Sequence, residues 1–381
     1  MKILFVTEFF PTGKDLRFSG GVEARTFFIA RNLSKKHKIT VITSLGIKDP
    51  KIEKMFGFTV YKVGPKRDYA ASVGHLVSRV LFIKEAIKIG KTLDVDIIDG
   101  GNYISHLIAK QIANHKKIPV AAWYPDVWLN NWIKNAGVYG IFGEILERYN
   151  MRSNFDAYIA ISNQTSQKLK RYTRKKVQII YCGVDQKEFA ISPQKFRFPT
   201  IICVSRLTKY KNIKTLILAF SHLVINVKTA RLIIIGTGPE EKKLKNLAKE
   251  LKIFTKVIFL KNLPRKELIK LYKKSHVFSL PSIVEGFGIA TIEAAAAGLP
   301  YVNSNINIMR EVTRKGKGGF LVNPNDPISF SNKFYDLFTT EKIYKRKSEE
   351  AKLLSKNYDW ENIAKKTEKI YQSLIDENEK N

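Results

Sequence analysis

Hydrophobic positions in this chain fall into short, mostly apolar runs, separated by longer stretches in which apolar residues recur every three or four positions. The runs are Ile3–Thr7, Ile39–Thr43, Phe58–Val63, Asp96–Asp99, Val120–Trp123, Tyr158–Ile161 and Val177–Tyr181. After a break come Ile201–Val204, Leu232–Ile235, Val257–Leu260, Val277–Leu280 and Tyr301–Asn303. Runs this short and this rich in Ile and Val predict buried strands, while the periodic stretches between many of them, such as Ala24–Leu33, Val73–Ile89 and Tyr103–Ala113, predict helices. Strand alternating with helix predicts an α/β fold, a parallel sheet with helices on both faces. The alternation restarts after a seam near Gly183–Pro199, so two doubly wound, Rossmann-like domains are expected, residues 1–190 and 191–359.

A length of 381 residues agrees with that division, being too much for one core of ordinary size. The cysteines, Cys182 and Cys203, have neither disulfide-framework nor zinc-site spacing, and no His/Asp/Glu cluster has metal-site spacing. Met1–Glu8 has too short an apolar run for a signal peptide and reads as a first buried strand. No uninterrupted apolar stretch is long enough to span a bilayer, so a soluble protein or one peripheral on a membrane face is expected, and the cysteine usage fits a reducing cytoplasm.

Charge changes the picture more. With 66 basic and 34 acidic side chains the formal net charge is +32, which calls for anionic partners: nucleic acid, anionic lipid or phosphorylated substrates. A surface coated in solvated lysine is the plainer account. Nucleic acid is disfavoured, because the aromatics lie in apolar strands and no RRM, KH or zinc-finger pattern occurs.

The chemistry concentrates in Pro281–Pro300. There a buried strand runs into a turn holding Glu285, Gly286, Phe287 and Gly288, then into a small-residue helix. Gly286 and Gly288 let backbone approach a bound group, and the free N–H groups at the helix start form an anion socket. Glu293 sits mid-helix among alanines and isoleucines, a setting that demands a cationic or hydroxylated partner; a buried lysine would also serve. Glu285 and Glu293, with the surrounding Gly-Phe-Gly and Glu-Ala-x-x-x-Gly-x-Pro, resemble the paired-glutamate signature of retaining GT-B glycosyltransferases of group 1, family 4. The resemblance covers most of the chain. It implies two Rossmann-like domains facing an interdomain cleft, a C-terminal helix (360–381) packing back on the first domain, and a nucleoside diphosphate sugar as donor substrate with no tightly bound cofactor or metal. Under it Glu285 would contact the donor sugar and Glu293 the ribose.

Other segments follow the same resemblance. Ser205–Asn212 is similar to the family's Gly-Arg-Leu…Lys-Asn/Gly pattern, with Ser205 in place of glycine, and implies that Arg206 and Lys211 grip the diphosphate. Both lie where open α/β sheets bind ligands. Gly236, Gly238 and Pro239 resemble a loop beside the nucleotide base, although they also suit a tight strand-to-helix turn. Gly20 and Gly21, after Ser19, resemble a glycine pair near the donor phosphate, or are a plain turn capping a helix. At the seam, Cys182-Gly183-Val184-Asp185 resembles the family junction, with cysteine where asparagine is usual. The histidine usual after the fifth run is missing; Asp126 is the nearest titratable group, either meeting a sugar or acceptor hydroxyl or capping its own loop. His106, alone in a helical setting, reads as packing. The activity implied is front-side transfer of a sugar, with retention, to a sugar or lipid-linked acceptor. A GT-B-shaped epimerase or phosphorylase is the enzymatic alternative, and a basic nucleic-acid-binding protein the alternative of another class. Two basic, apolar stretches, Lys62–Arg67 with the helix holding Val73 to Ile83, and Trp128–Lys134, are candidates for contact with an anionic membrane. The first of them suits the core face of a Rossmann helix equally.

Overall fold

The structure, a computed structural model, describes residues 1–11, 16–18, 20–47, 49–66 and 76–380. Ser19, Arg67 and Val73, each part of a segment singled out above, lie outside the described residues. The chain divides into two compact units, one made of Met1–Lys14, Phe18–Cys182 and Trp360–Asn381, the other built on Gly183–Asp359. The division falls earlier than the boundary expected at residue 190.

The first unit runs β1 (Lys2–Val6), α1 (Gly21–Leu33), β2 (Lys38–Ser44), β3 (Ile52–Met55), β4 (Phe58–Val63), α2 (Leu76–Thr92), β5 (Ile97–Gly100), α3 (Tyr103–Lys116), β6 (Val120–Tyr124), α4 (Trp132–Ala136), α5 (Gly140–Arg152), β7 (Ala157–Ala160), α6 (Asn163–Leu169) and β8 (Val177–Ile179). Among the described residues its sheet is ordered β3-β4-β2-β1-β5-β6-β7-β8. Every pairing is parallel except β3 on β4, a hairpin strand that the hydrophobic pattern does not mark because Ile-Glu-Lys-Met is half polar. Strands that pair on both sides are buried, β6 end to end and β1 from Ile3 onward, as parallel strands covered on both faces must be. Asn102 caps α3 by accepting from the Ser105 N–H, and Ser162 caps α6 by accepting from that of Thr165.

The second unit runs β9 (Thr200–Val204), α7 (Ile213–Asn226), β10 (Arg231–Ile235), α8 (Glu241–Glu250), β11 (Val257–Leu260), α9 (Arg265–Lys274), β12 (Val277–Leu280), α10 (Ile289–Ala296), β13 (Tyr301–Ser304), α11 (Asn307–Val312), β14 (Gly319–Val322), α12 (Pro327–Thr339) and α13 (Glu341–Ser355). Its all-parallel sheet is ordered β11-β10-β9-β12-β13-β14. β14 was not marked by the pattern, being short and opened by glycine.

The last helix, α14 (Trp360–Glu379), belongs to the first unit and packs on α1. Trp360 stacks on Phe28 with ring centroids 5.5 Å apart. Deeper in, Arg25 makes a fork of two bonds, 2.6 and 2.8 Å, to Asp99, and the Tyr371 hydroxyl donates to the same carboxylate. A bidentate guanidinium–carboxylate pair satisfies two buried charges with fixed geometry, and the Arg25 guanidinium also lies 5.0 Å from the Trp123 ring. Polar groups so deep therefore tie the last helix to the middle of the first sheet.

Candidate functional site

Chain order in the second sheet runs outward in both directions from β9: β10 and β11 on one side, β12 to β14 on the other. The point between β9 and β12, where the order reverses, opens a crevice beyond the carboxyl ends of the strands. The loop after β9 carries Arg206, Lys209, Tyr210 and Lys211, and the loop after β12 carries Glu285 to Gly288. Three loops are stitched together there by backbone bonds. The Ile283 N–H donates to the Tyr210 carbonyl at 2.9 Å, the Leu207 N–H to Thr237 at 2.8 Å and the Glu240 N–H to Leu207 at 3.0 Å.

Within this cluster Lys211 Nζ donates to Glu285 Oε1, which also accepts from Ser282 Oγ at 2.9 Å. Both charged side chains are mostly withdrawn from water, 13% and 7% exposed. Arg206 donates to the Tyr210 hydroxyl at 2.6 Å. Arg206 and Lys211 both lie near the Tyr210 ring, 5.9 and 5.6 Å from its centroid. Gly288 caps α10 with φ +84, a conformation that favours glycine, and a Cβ there would come within 2.4 Å of Met309 Cε. Gly288 offers no side chain to cap α10 and its carbonyl takes the Thr291 N–H at 2.8 Å, so the start of the helix, three residues on from Glu285, keeps a positive dipole end. Two cations, one carboxylate and an uncapped helix start form a socket suited to an anion carrying a hydroxylated group.

The other predicted residues divide. Glu293 is buried in α10, and its partners are Arg265 Nη1, to Oε1, and the Tyr272 hydroxyl, 3.2 Å from Oε2; both come from α9. The buried cation beside Glu293 is an arginine, not the lysine of the alternative account, and it also reaches Glu188 at 2.9 Å. Burial works against the Arg265 charge, but Glu293 and Glu188 outweigh it and hold its pKa above the ordinary arginine value. Phe287 is buried, with its ring 5.7 Å from Tyr358, so its side chain serves the core and only its backbone is left for a ligand. Gly286 lies half-buried in the same turn.

Gly236 and Gly238 have a direct structural reason. A Cβ at Gly236 would stand 1.9 Å from the Ser205 carbonyl oxygen, and one at Gly238 would stand 2.3 Å from that of Leu207. These glycines let the loop after β10 lie against the Arg206 loop, which positions the cation. Pro239 follows, exposed, in the turn into α8.

In the first unit, Gly20 and Gly21 stand at the N-terminus of α1, Gly20 with extended backbone that any residue adopts. The order of that sheet reverses between β1 and β5. Asp126 is committed locally: it accepts from Lys168 Nζ at 2.6 Å and from the Val127 N–H at 2.8 Å. The usual histidine position leaves a different buried group nearby. Glu147, fully buried, accepts from the Trp128 N–H and the Trp132 indole. Burial pushes its pKa up to about 7. His106 is packed: its Nε2 lies 2.9 Å from the Trp123 carbonyl oxygen, its ring is 4.4 Å from Tyr124, and burial pushes its pKa down to about 4. Cys182 is also buried, and burial pushes its thiol up to about 12, so the departure from asparagine at the seam supplies no surface group.

Sequence reasoning missed Arg265, Tyr272 and Glu147. The odd apolar setting of Glu293 signalled that a partner must exist, but the partner stands 28 residues earlier in the chain, beyond any local pattern.

Comparison with known proteins follows the same division. The family model of the Glycosyl transferases group 1 matches residues 184–354, and that of Glycosyltransferase Family 4 matches residues 19–188. An uncharacterized glycosyltransferase of Methanocaldococcus jannaschii is 28% identical over 405 residues, covering 99% of both chains. Among solved structures, sucrose-phosphate synthase from Thermosynechococcus elongatus superposes with a TM-score of 0.83 at 17% identity, covering 98% of this chain and 99% of that one. HepE of Anabaena in complex with UDP-glucose superposes with a TM-score of 0.76, also at 17% identity, covering 98% of this chain and 100% of the other.

Proposed function

This chain belongs to the group 1 glycosyltransferases and has their GT-B fold, and from that premise we propose that it transfers a sugar from a nucleoside diphosphate sugar to an acceptor hydroxyl with retention of anomeric configuration. The observation that carries the proposal is the meeting of Lys211 and Glu285, beside Arg206 and the start of α10, at the switch point of the second sheet. A diphosphate needs fixed positive charge where it binds and more where it leaves. Arg206, Lys211 and the α10 dipole supply it without a metal. Glu285 then accepts from hydroxyls of the donor sugar, and Glu293, oriented by Arg265 and Tyr272, offers its remaining lone pairs to the ribose.

In the step proposed, the bond from the anomeric carbon to the diphosphate breaks while the acceptor oxygen bonds to that carbon from the same face. The acceptor proton passes to the departing diphosphate. No carboxylate has to act as nucleophile, in contrast to retaining glycosidases. The donor is a substrate, and the reading calls for no tightly bound cofactor. That HepE is described with UDP-glucose makes this donor the first to try.

The test is proton NMR of the product formed from each of a panel of nucleotide sugars and acceptor alcohols. A new glycoside with the donor's anomeric configuration supports the proposal. An inverted product contradicts it. Interconversion of the donor sugar without an acceptor would make the enzyme an epimerase, and strict dependence on inorganic phosphate a phosphorylase.

A further inference from the structure

Helix α5 exposes much of its apolar surface, although Met151 at its end joins the core. Its inward side buries Glu147 and Asn150, both without solvent exposure, while its outward side presents Ile141, Phe142, Ile145 and Tyr149 to water. Those four positions, spaced one, three and four apart, line one face of the helix. The apolar surface continues into the preceding turn, where Val138 is 76% and Tyr139 66% exposed, and onto Ile133 of α4. A helix normally buries its apolar stripe, and a contiguous exposed one of this extent marks a surface that something covers. The feature is not an accident of one element. At α2, Phe82, Ala86 and Gly90 turn inward while Leu76, Val77, Val80 and Leu81 face solvent. Helices α2 and α5 both pack on α3, and both start from the carboxyl edge of the first sheet, so their exposed first turns share one end of one helical layer.

Charge identifies the occupant. Along α4 and α5 stand Lys134, Arg148 and Arg152, and α2 continues past its apolar start with Lys84, Lys88 and Lys91. Of the acids on these helices Glu147 is buried, Glu144 is tied to Arg148 at 2.6 Å, and Glu85 of α2, exposed, accepts from the Gly64 N–H at 2.7 Å, so the bases outnumber the exposed acids on this face. A second copy of the chain would bring two such basic rims together on a molecule of net charge +32. An anionic bilayer complements both features, taking the apolar side chains into the acyl boundary and pairing the basic rim with headgroups. We propose that the outward face of α5, with the start of α2, docks the first unit onto an anionic lipid bilayer. The tryptophans of the Trp128–Lys134 stretch are not the anchors. Trp132 packs on Tyr103 and Trp128, and its indole is held by Glu147.

The inference does not depend on the transferase reading, and the test keeps the two apart. The full chain is co-sedimented with phosphatidylglycerol–phosphatidylcholine vesicles and with pure phosphatidylcholine vesicles across a salt series, alongside Phe142→Ser/Ile145→Ser and Lys134→Glu/Arg152→Glu variants. All four side chains are exposed, so the fold is retained, which circular dichroism checks. Wild type should pellet with anionic vesicles at low salt and release as salt rises. The serine pair should lose partitioning by roughly tenfold or more, and the glutamate pair should lose its preference for anionic lipid. Nucleoside diphosphate binding should be unchanged in both variants. No pelleting at low salt overturns the proposal, as does equal pelleting of wild type and the serine pair. A wild-type dimer in sedimentation velocity that the serine pair dissociates, with no vesicle binding, would assign the face to self-association instead.

Discussion

Glu285→Gln separates the two jobs of the switch-point cluster. In the free protein the Lys211 ammonium is already engaged by Glu285, whose carboxylate is only 7% exposed and is further held by Ser282. A diphosphate seated as proposed must therefore compete with Glu285 for Lys211. Glutamine keeps an oxygen for Ser282 but withdraws the competing charge. A hydrogen bond involving a charged group contributes about 1.5–3 kcal/mol, and the lower end corresponds to a little over tenfold in affinity. Glu285→Gln should thus bind the preferred nucleoside diphosphate as tightly as wild type or up to about tenfold more tightly. Turnover should fall by about a hundredfold or more, because on the proposed assignment the donor sugar loses the carboxylate that meets its hydroxyls. Isothermal titration with UDP, GDP and ADP, together with the rate of diphosphate release from the donor, reads both quantities. A tenfold weaker diphosphate with unchanged turnover would refute the assignment and exchange the roles of Glu285 and Glu293.

Three further outcomes follow from particular contacts. Gly236→Ala drives a methyl into the Ser205 carbonyl and should displace the Arg206 loop, so kcat/KM should fall by about tenfold or more while the Tm drops only a few degrees; normal kinetics would dissociate that loop from the site. Tyr371→Phe removes one donor from the buried Asp99 carboxylate but leaves its fork to Arg25, and should cost about 1–2 kcal/mol in urea unfolding, against no change if α14 is merely appended. Glu147 has its folded pKa raised to about 7 from 4.5, chiefly by burial, so the folded state holds its proton over a window where the unfolded state has lost it. Its contribution to stability should fall as pH rises from about 4.5 to 7, by up to ~3 kcal/mol, and Glu147→Gln should flatten that difference; a variant relatively less stable at pH 8 than at pH 5 would contradict the sign.

Much of this architecture was legible because parallel strands must be apolar on both faces. Val257–Leu260 and Val277–Leu280 stand out as runs, and both strands form over those residues. The strands that escaped, β3 and β14, are short and half polar or glycine-led, so they lack that signature. The loops after β9 and β12 were legible as candidates from strand-end position, and the structure ties them together through the Ile283–Tyr210 bond and the Lys211–Glu285 pair. What periodicity could not supply was direction and distance. The repeat in α2 suits a core face, yet Val77 and Leu81 point to solvent; in α5 the apolar stripe is real but faces outward over a buried Glu147. Nothing local in Glu293 names Arg265, and nothing in Asp126 names Lys168, because such pairings are set by which elements the fold makes neighbours.

The central claim is that Arg206 and Lys211 form the diphosphate seat, and a thermal-shift comparison tests it most directly. Wild type, Arg206→Ala and Lys211→Ala are each melted with UDP, GDP and ADP and with the corresponding nucleotide sugars. Ligand bound only to the folded state stabilises it by about 2.7 kcal/mol at a hundredfold excess over Kd, a shift of several degrees. The account predicts such a shift for at least one nucleoside diphosphate in wild type, and its loss in both variants at the same concentration, with their ligand-free melting temperatures close to wild type. Equal shifts in all three proteins, or none in wild type with any nucleotide, would contradict it.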